Sequence, residues 1–249
     1  MIMTIVKRLV RRMGFNMVRS KNLFPPDFDE EAIEIIRAVK PYTMTSVERL
    51  FALIHAVKYI ERRNIPGSVV ECGVWKGGSM MPVAHVLKRL GKEDRDIYLF
   101  DTYEGMTRPT DFDVNYAGKH ALIKFERVKR TNDSSEWAYA TIEQVQRNLY
   151  STGYNRQRLK FIQGKVEDTL PGSAPEQIAL LRLDTDWYES TRHALIHLYP
   201  LLTVGGVLIV DDYGHWQGSR KAVDEYFAQN NIVLLLNRID YTGRIAVKH

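Results

Sequence analysis

Cysteine is almost missing from this chain. Cys72 is the only one in 249 residues, so no internal disulfide can form, and a reducing cytoplasm is the simplest home. No apolar run approaches the roughly eighteen residues that span a bilayer. Internal repeats and low-complexity stretches are also lacking, which leaves a globular domain. The one glycine-rich turn does not have the G-x-G-x-x-G spacing of a dinucleotide site, which counts against NAD. What remains is 45% hydrophobic and 26% charged, an ordinary soluble composition long enough to bury one large core.

A net excess of positive charge is lacking outside one segment. Lys7, Arg8, Arg11, Arg12, Arg19 and Lys21 precede the first acid, Asp27. Taking these six from the net charge of +5 leaves a body near −1, so no basic surface for nucleic acid is expected on the folded part. Ile2, Ile5, Val6, Leu9, Val10 and Met13 give the segment one apolar helical face. Such a helix packs on the body or on a second subunit in a homo-oligomer, or lies peripherally on an anionic membrane. A targeting peptide would need a longer apolar core and a small-residue cleavage site. Residues 1–40 thus read as an N-terminal helical segment, and residues 41–249 as the main domain.

Pro25-Pro26 ends the basic tail, and Asp27 to Glu30 suits the start of a helix running to about Val39. Ser46 caps a second helix with Leu50, Leu53, Ile54, Val57 and Ile60 on one face. Strand-like runs follow at Ser68–Cys72, Ile97–Phe100, Leu159–Gln163, Ile178–Leu183 and Gly206–Val210. Helical patterns separate them at Ser79–Leu90, Ile142–Tyr150, Ser190–Leu202 and Ser219–Gln229. The alternation predicts an α/β fold with a doubly wound, mostly parallel sheet. Ile232–Leu236 and Arg244–Val247, joined through Asp240 to Gly243, predict a closing antiparallel hairpin. Residues 107–140 break the alternation; a polar, aromatic stretch of this length reads as a lid or substrate loop, or as a segment ordered by ligand.

Two apolar runs stop abruptly at acids. Leu180 to Leu183 runs into Asp184-Thr185-Asp186, and Val207 to Val210 into Asp211-Asp212. Such runs are buried parallel strands, and their carboxyl ends are where open α/β sheets bind ligands. These acids cap the following helices or hold a cation; an oxygen-only set suits Mg²⁺, with Mn²⁺ or Ca²⁺ behind it, over zinc. At the other end, Glu71, Gly73, Gly77, Gly78 and Ser79 form a strand end, glycine-rich turn and helix start able to approach a ligand closely. Asp101 ends the second strand where an acid accepts from ribose hydroxyls. Gly164, Val166 and Glu167 follow the third, at the place of an adenine edge.

Glu71 to Ser79, Asp101 to Met106, Asp168 to Pro171, Leu183 to Thr191 and Asp211 to Gly214 together resemble the macrocin O-methyltransferase family over about Tyr42 to the C-terminus. The resemblance implies a Rossmann-like class I methyltransferase with N-terminal helices and a lid insertion. It implies S-adenosyl-L-methionine as donor, with Glu71 facing its methionine part, and Mg²⁺ held by Asp184, Asp211 and Asp212. Asp186 would be the general base, with Asp184 as its alternative. The acceptor would be a sugar hydroxyl of a glycosylated natural product or glycolipid. A catechol or small diol is the competing acceptor, and a membrane-associated protein that keeps only the fold is the non-enzymatic reading. Tyr42, Trp137 and His215 are the acceptor-side candidates, His215 also as a second candidate base.

Overall fold

A computed structural model describes residues 24–249. The basic segment, with its membrane and second-subunit readings, lies outside the described residues. Among those described, no helix is long and apolar enough to cross a membrane.

The first helix, α1 (Glu30–Val39), starts where the Asp29 carboxylate accepts from Ala32 N at 2.7 Å, with Glu30 and Glu31 in its positive first turn. Its stripe Ala32, Ile35, Ile36 and Val39 is buried. A short 3₁₀ turn, Lys40–Tyr42, leads to α2 (Val47–Arg62), where Ser46 Oγ accepts from Arg49 N. Leu50, Leu53, Ile54, Val57 and Ile60 fall at helical spacing on the buried side of α2. Both helices enter the apolar cluster that covers one face of the sheet.

Alternation then begins: β1 (Ser68–Cys72), α3 (Met80–Arg89), β2 (Ile97–Asp101), an insert carrying α4 (Ala121–Val128), α5 (Ile142–Ser151), β3 (Leu159–Gln163), the single turn α6 (Val166–Thr169), β4 (Ile178–Leu183), α7 (Tyr188–Leu198), β5 (Leu202–Val210), α8 (Gln217–Gln229), β6 (Asn237–Arg238) and β7 (Arg244–Val247). The seven strands order as β3-β2-β1-β4-β5-β7-β6. β1 to β5 pair in parallel and β7 runs antiparallel to β5. Alternate strand residues feed two cores. Val69, Leu180, Val207 and Ile209 face α1 to α3, while Val70, Cys72, Leu181, Leu183 and Leu208 face α7 and α8. The chain leaves β1 in one direction through β2 and β3, then crosses back to β4 and β5. The crevice of such a sheet opens at that reversal, above the ends of β1 and β4.

Two expectations are corrected. The helix written as Ser190–Leu202 ends at Leu198, because Pro200 lacks an N–H and stops it, and Leu202 already opens β5. No strand forms over the expected Ile232–Leu236; the two-residue β6, Asn237–Arg238, follows it instead. In the observed register Asn237 faces Ile245 and Arg238 faces Arg244, so β7, ending at Val247, offers nothing opposite residues 232–234. Their alternation is nonetheless used: Ile232, Leu234 and Leu236 pack on the core, whereas Val233 and Leu235 are 95% and 73% exposed.

Candidate active site

At the end of β1 the chain must turn sharply beneath β4. Gly73 takes φ +86°, and a Cβ there would run into the Asp184 carbonyl, so only glycine fits. The Asp101 carboxylate holds the turn from the next strand. Its Oδ2 accepts from Val74 N and Trp75 N at 2.6 and 2.9 Å, and its Oδ1 accepts from Tyr103 N at 2.8 Å. Burial pushes the Asp101 carboxyl up, and these three backbone donors oppose the shift. Gly73 and Asp101 lie between two adjoining hollows. One of about 340 Å³ runs over the ends of β4 and β5, and one of about 70 Å³ lies over β2 and β3.

The acids sit on the floor of the larger hollow. Carboxylate oxygens of Asp184, Asp211 and Asp212 lie within 4.8 Å of one another. Asp186, at φ +62°, lines the same hollow. Burial and then the Asp184 charge push the Asp186 carboxyl up to about 7, while the Asp212 and Trp216 side chains oppose the shift. Burial, then Asp186 and Asp184, drives Asp212 well above its usual range. Asp212 Oδ2 is buried with no hydrogen-bond partner. Three clustered carboxylates, one of them with a buried oxygen that has no partner, fit an oxygen-loving divalent cation.

Two arginines answer part of this negative charge. Arg182 is 1% exposed near the carboxyl end of β4 and fans out to three acids. Its Nη1 donates to Glu71 Oε1 at 2.5 Å and to Asp184 Oδ2 at 2.7 Å, and its Nη2 donates to Asp211 Oδ1 at 2.5 Å. Thr45 Oγ1 takes a fourth bond from Nη2 at 3.2 Å. Burial works against the guanidinium charge, but Asp184, Asp211 and Glu71 together hold its pKa well above the ordinary value. Arg49, from the first turn of α2, donates through Nη1 to Asp211 Oδ2 and through Nε to Asp240 Oδ2 at 3.0 Å.

The insert is pinned over this floor. The buried Asp113 accepts from Thr110 N at 2.7 Å and from Tyr188 N, at the start of α7, at 2.8 Å. Gln217 N donates to Val114 O, and Tyr116 N to His215 O, both at 2.8 Å. Ala121 of α4 packs with Trp187 and Trp216. Trp137, Trp187 and Trp216 meet edge-on or tilted, with ring centroids 5.0–6.0 Å apart. Lys124, on the same helix, sits 3.7 Å from the Trp137 ring centroid, and burial lowers its pKa while the Asp186 charge opposes that shift.

Of the residues expected at the site, Gly73, Ser79, Asp101, Asp184, Asp186, Asp211 and Asp212 line the larger hollow, as do Tyr42, Trp137 and His215. Gly164, Val166 and Glu167 line the smaller one. Three expected residues stand elsewhere. Glu71 is fully buried beneath the floor, and it reaches the hollow only through Arg182. Gly77 packs on Leu149 and Val145 of α5, and Gly78 abuts the Tyr42 carbonyl, so both glycines serve close chain packing. Conversely, Arg49, Lys124 and Arg182 stand at or under the site without having been marked by their sequence context. A usable signal existed for Arg182 alone: a charge inside a buried strand must be paired.

The chain matches the family model described as Macrocin-O-methyltransferase (TylF) over residues 19–247. It is 34% identical over 204 residues to demethyldecarbamoylnovobiocin O-methyltransferase of Streptomyces niveus, covering 81% of this chain and 74% of that one. It is 33% identical over 202 residues to mycinamicin III 3''-O-methyltransferase of Micromonospora griseorubida, covering 81% and 76%. Among solved structures, the O-methyltransferase NovP superposes with a TM-score of 0.74 at 32% identity, over 83% of this chain and 82% of that one. The calicheamicin methyltransferase CalS11 superposes at 0.56 with 20% identity, over 94% and 99%, a likeness of fold alone. A class I methyltransferase sheet with an acid cluster at its reversal point, matched along nearly its whole length, places this enzyme in the macrocin O-methyltransferase family.

Proposed function

We propose that this O-methyltransferase uses S-adenosyl-L-methionine and Mg²⁺ to methylate a hydroxyl on the sugar of a glycosylated small molecule. The observation that carries the reading is the convergence of the Asp184, Asp211 and Asp212 carboxylates, one Asp212 oxygen being buried and unpartnered, with Asp186 lining the same aromatic-walled hollow. The relatives' names support the acceptor class: one is named for demethyldecarbamoylnovobiocin, one for mycinamicin III, and one for a dimethoxy-rhamnosyl-tetracenomycin C. A glycolipid acceptor remains within the same chemistry.

When bound, the donor supplies an electrophilic methyl group on a sulfonium, and the cation supplies Lewis acidity at the acceptor oxygen. The residues supply the rest. Gly73 lets the backbone come close, and Val166 and Glu167 flank the smaller hollow where an adenine would lie. Asp101 has already given both oxygens to backbone donors; its Oδ1, whose Thr102 contact is long at 3.4 Å, is the side open to a ribose hydroxyl. Asp186 takes the acceptor's proton. Trp137 and Trp216 wall the acceptor side and exclude water, and His215 and Tyr42 complete the rim.

The test is a panel assay of the purified full chain with labelled donor. Demethylated precursors of the relatives' glycosides stand against catechols, each with and without chelator. Turnover of glycosides that chelator abolishes supports the reading. Turnover confined to catechols rejects the sugar acceptor, and chelator-insensitive turnover rejects the cation.

A further inference from the structure

Asp211 already has a cationic partner on each oxygen: Arg182 Nη2 on Oδ1 and Arg49 Nη1 on Oδ2. The two arginines are not equivalent. Arg182 is locked inside β4 by Glu71, Asp184 and Thr45, and has nowhere to go. Arg49 stands at the edge of the hollow and owns a second anchor. Its Nε donates to Asp240 Oδ2, which also accepts from Ser46 Oγ at 2.8 Å. Asp240 Oδ1 is tied in turn to Thr242 N and Gly243 N at 2.9 and 2.7 Å. Gly243 packs so closely on the Arg49 stem that a Cβ there would lie 2.8 Å from Cδ. The stem is wedged; only the guanidinium tip is free to change partners.

Resting on the cation reading above, we infer that Arg49 is the site's own stand-in for the divalent ion. With no ion bound, its Nη1 neutralises Asp211 Oδ2. Ion entry transfers that oxygen to the metal and leaves Arg49 held by Asp240. The physical reason is charge. Four carboxylates on neighbouring strand ends repel strongly when buried, and Arg182 alone cannot answer them. Once an ion is present, a guanidinium on the same oxygen becomes a like charge beside it. The exchange therefore couples metal occupancy to the contact between α2 and the C-terminal turn at Asp240. Arg49 acts through Asp211, as a positioning residue. Had it instead served to aim Asp211 at the ion, its removal would weaken metal binding, so the two roles differ in sign.

The experiment is calorimetric titration of Mn²⁺ alone into the chelator-treated full chain, for the native protein and for R49M, D240N and D212N. R49M is expected to bind Mn²⁺ on the order of tenfold tighter, since one hydrogen bond between charged groups no longer has to break. D240N is expected to bind several-fold weaker, because the guanidinium then leans on Asp211 alone. Thermal melts give the second readout: metal-free R49M unfolds below the native chain, and saturating Mn²⁺ closes the gap. Weaker or unchanged Mn²⁺ affinity in R49M overturns the exchange. Should R49M fail to fold, D240N decides alone, and native-like affinity there overturns it equally. Absence of Mn²⁺ binding by the native chain sinks the cation reading and the exchange together. Native binding that D212N abolishes, with R49M matching native, sinks the exchange only.

Discussion

Arg182 is the residue whose removal should cost most outside the hydrophobic core. Arg182→Met keeps the volume and removes the donors on which Glu71, Asp184 and Asp211 converge. The losses are unequal. Asp184 is half-buried and can turn to water, and Asp211 keeps Arg49. Glu71 is the one left bare, with Oε2 already lacking a partner. Stripping one buried carboxylate of its counter-charge costs about 3–5 kcal/mol. At about 2.1 cal/mol/K per residue, a chain of this length unfolds with an entropy near 0.5 kcal/mol/K, so the midpoint should fall by about 6–10 °C. The loss should depend on pH. Burial pushes the Glu71 carboxyl up to about 8 even with Arg182 beside it. A raised acid contributes stability that is present below its unfolded pKa, about 4.5, and is lost as pH rises through its folded value. Without Arg182 the carboxyl moves higher still, so the variant's deficit should be small at pH 6 and should open only above pH 8, where the native Glu71 gives up its proton. Scanning calorimetry in chelator at pH 6 and pH 10 measures it, and adding Glu71→Gln should recover part of the deficit at pH 10. A fall of less than about 2 °C at pH 10, or an equal deficit at both values, would refute the assignment of Arg182 as the counter-charge.

Three further outcomes follow from the site. Asp186→Asn should lower turnover by about 10²–10⁴-fold with donor binding kept, and a rate within tenfold of native would remove Asp186 as the base. Burial is the first cause holding Asp186 and Asp211 up, to about 7 and about 6, so the metal-free chain should lose stability as pH rises from 4 to 8, and Mg²⁺ should flatten that slope in thermal melts. An unchanged slope would show that no ion meets these acids. Gly73→Ala, forced to φ +86° and against the Asp184 carbonyl, should cost about 1–3 kcal/mol and weaken donor binding, read by calorimetry; native affinity would mean that the turn can move aside.

The parts legible from sequence are those that strand ends expose. An apolar run must stop somewhere, and acids placed where it stops declare both the strand's direction and the crevice, as with Asp184, Asp186, Asp211 and Asp212. Glycine carries less information, because a tight turn and a ligand contact ask for the same residue. Gly73, Gly77 and Gly78 look alike in the chain, yet Gly73 lines the hollow while the other two pack against α5 and Tyr42. The first strand of the closing hairpin departs from its alternation for a related reason: alternation reports which side chains are buried, and residues 232–236 bury alternate side chains without forming a strand.

The buried network is a different matter, since its partners are far apart along the chain. Arg49 and Asp211 are separated by 162 positions and Arg182 and Glu71 by 111. No spacing rule reaches that far. Yet Glu71 and Arg182 each carry a charge near the end of a largely apolar, buried strand, and a strand covered on both faces tolerates that only if the charge is paired. β1 and β4 are adjacent in the sheet, and the register sets Glu71 directly opposite Arg182. Two opposite charges out of place in two buried parallel strands are thus each other's natural partners, and they bring with them a prediction about order. Pairing them requires β4 to lie against β1, which is the crossing that opens the crevice. The ion pair under the floor and the site above it are consequences of the same strand placement.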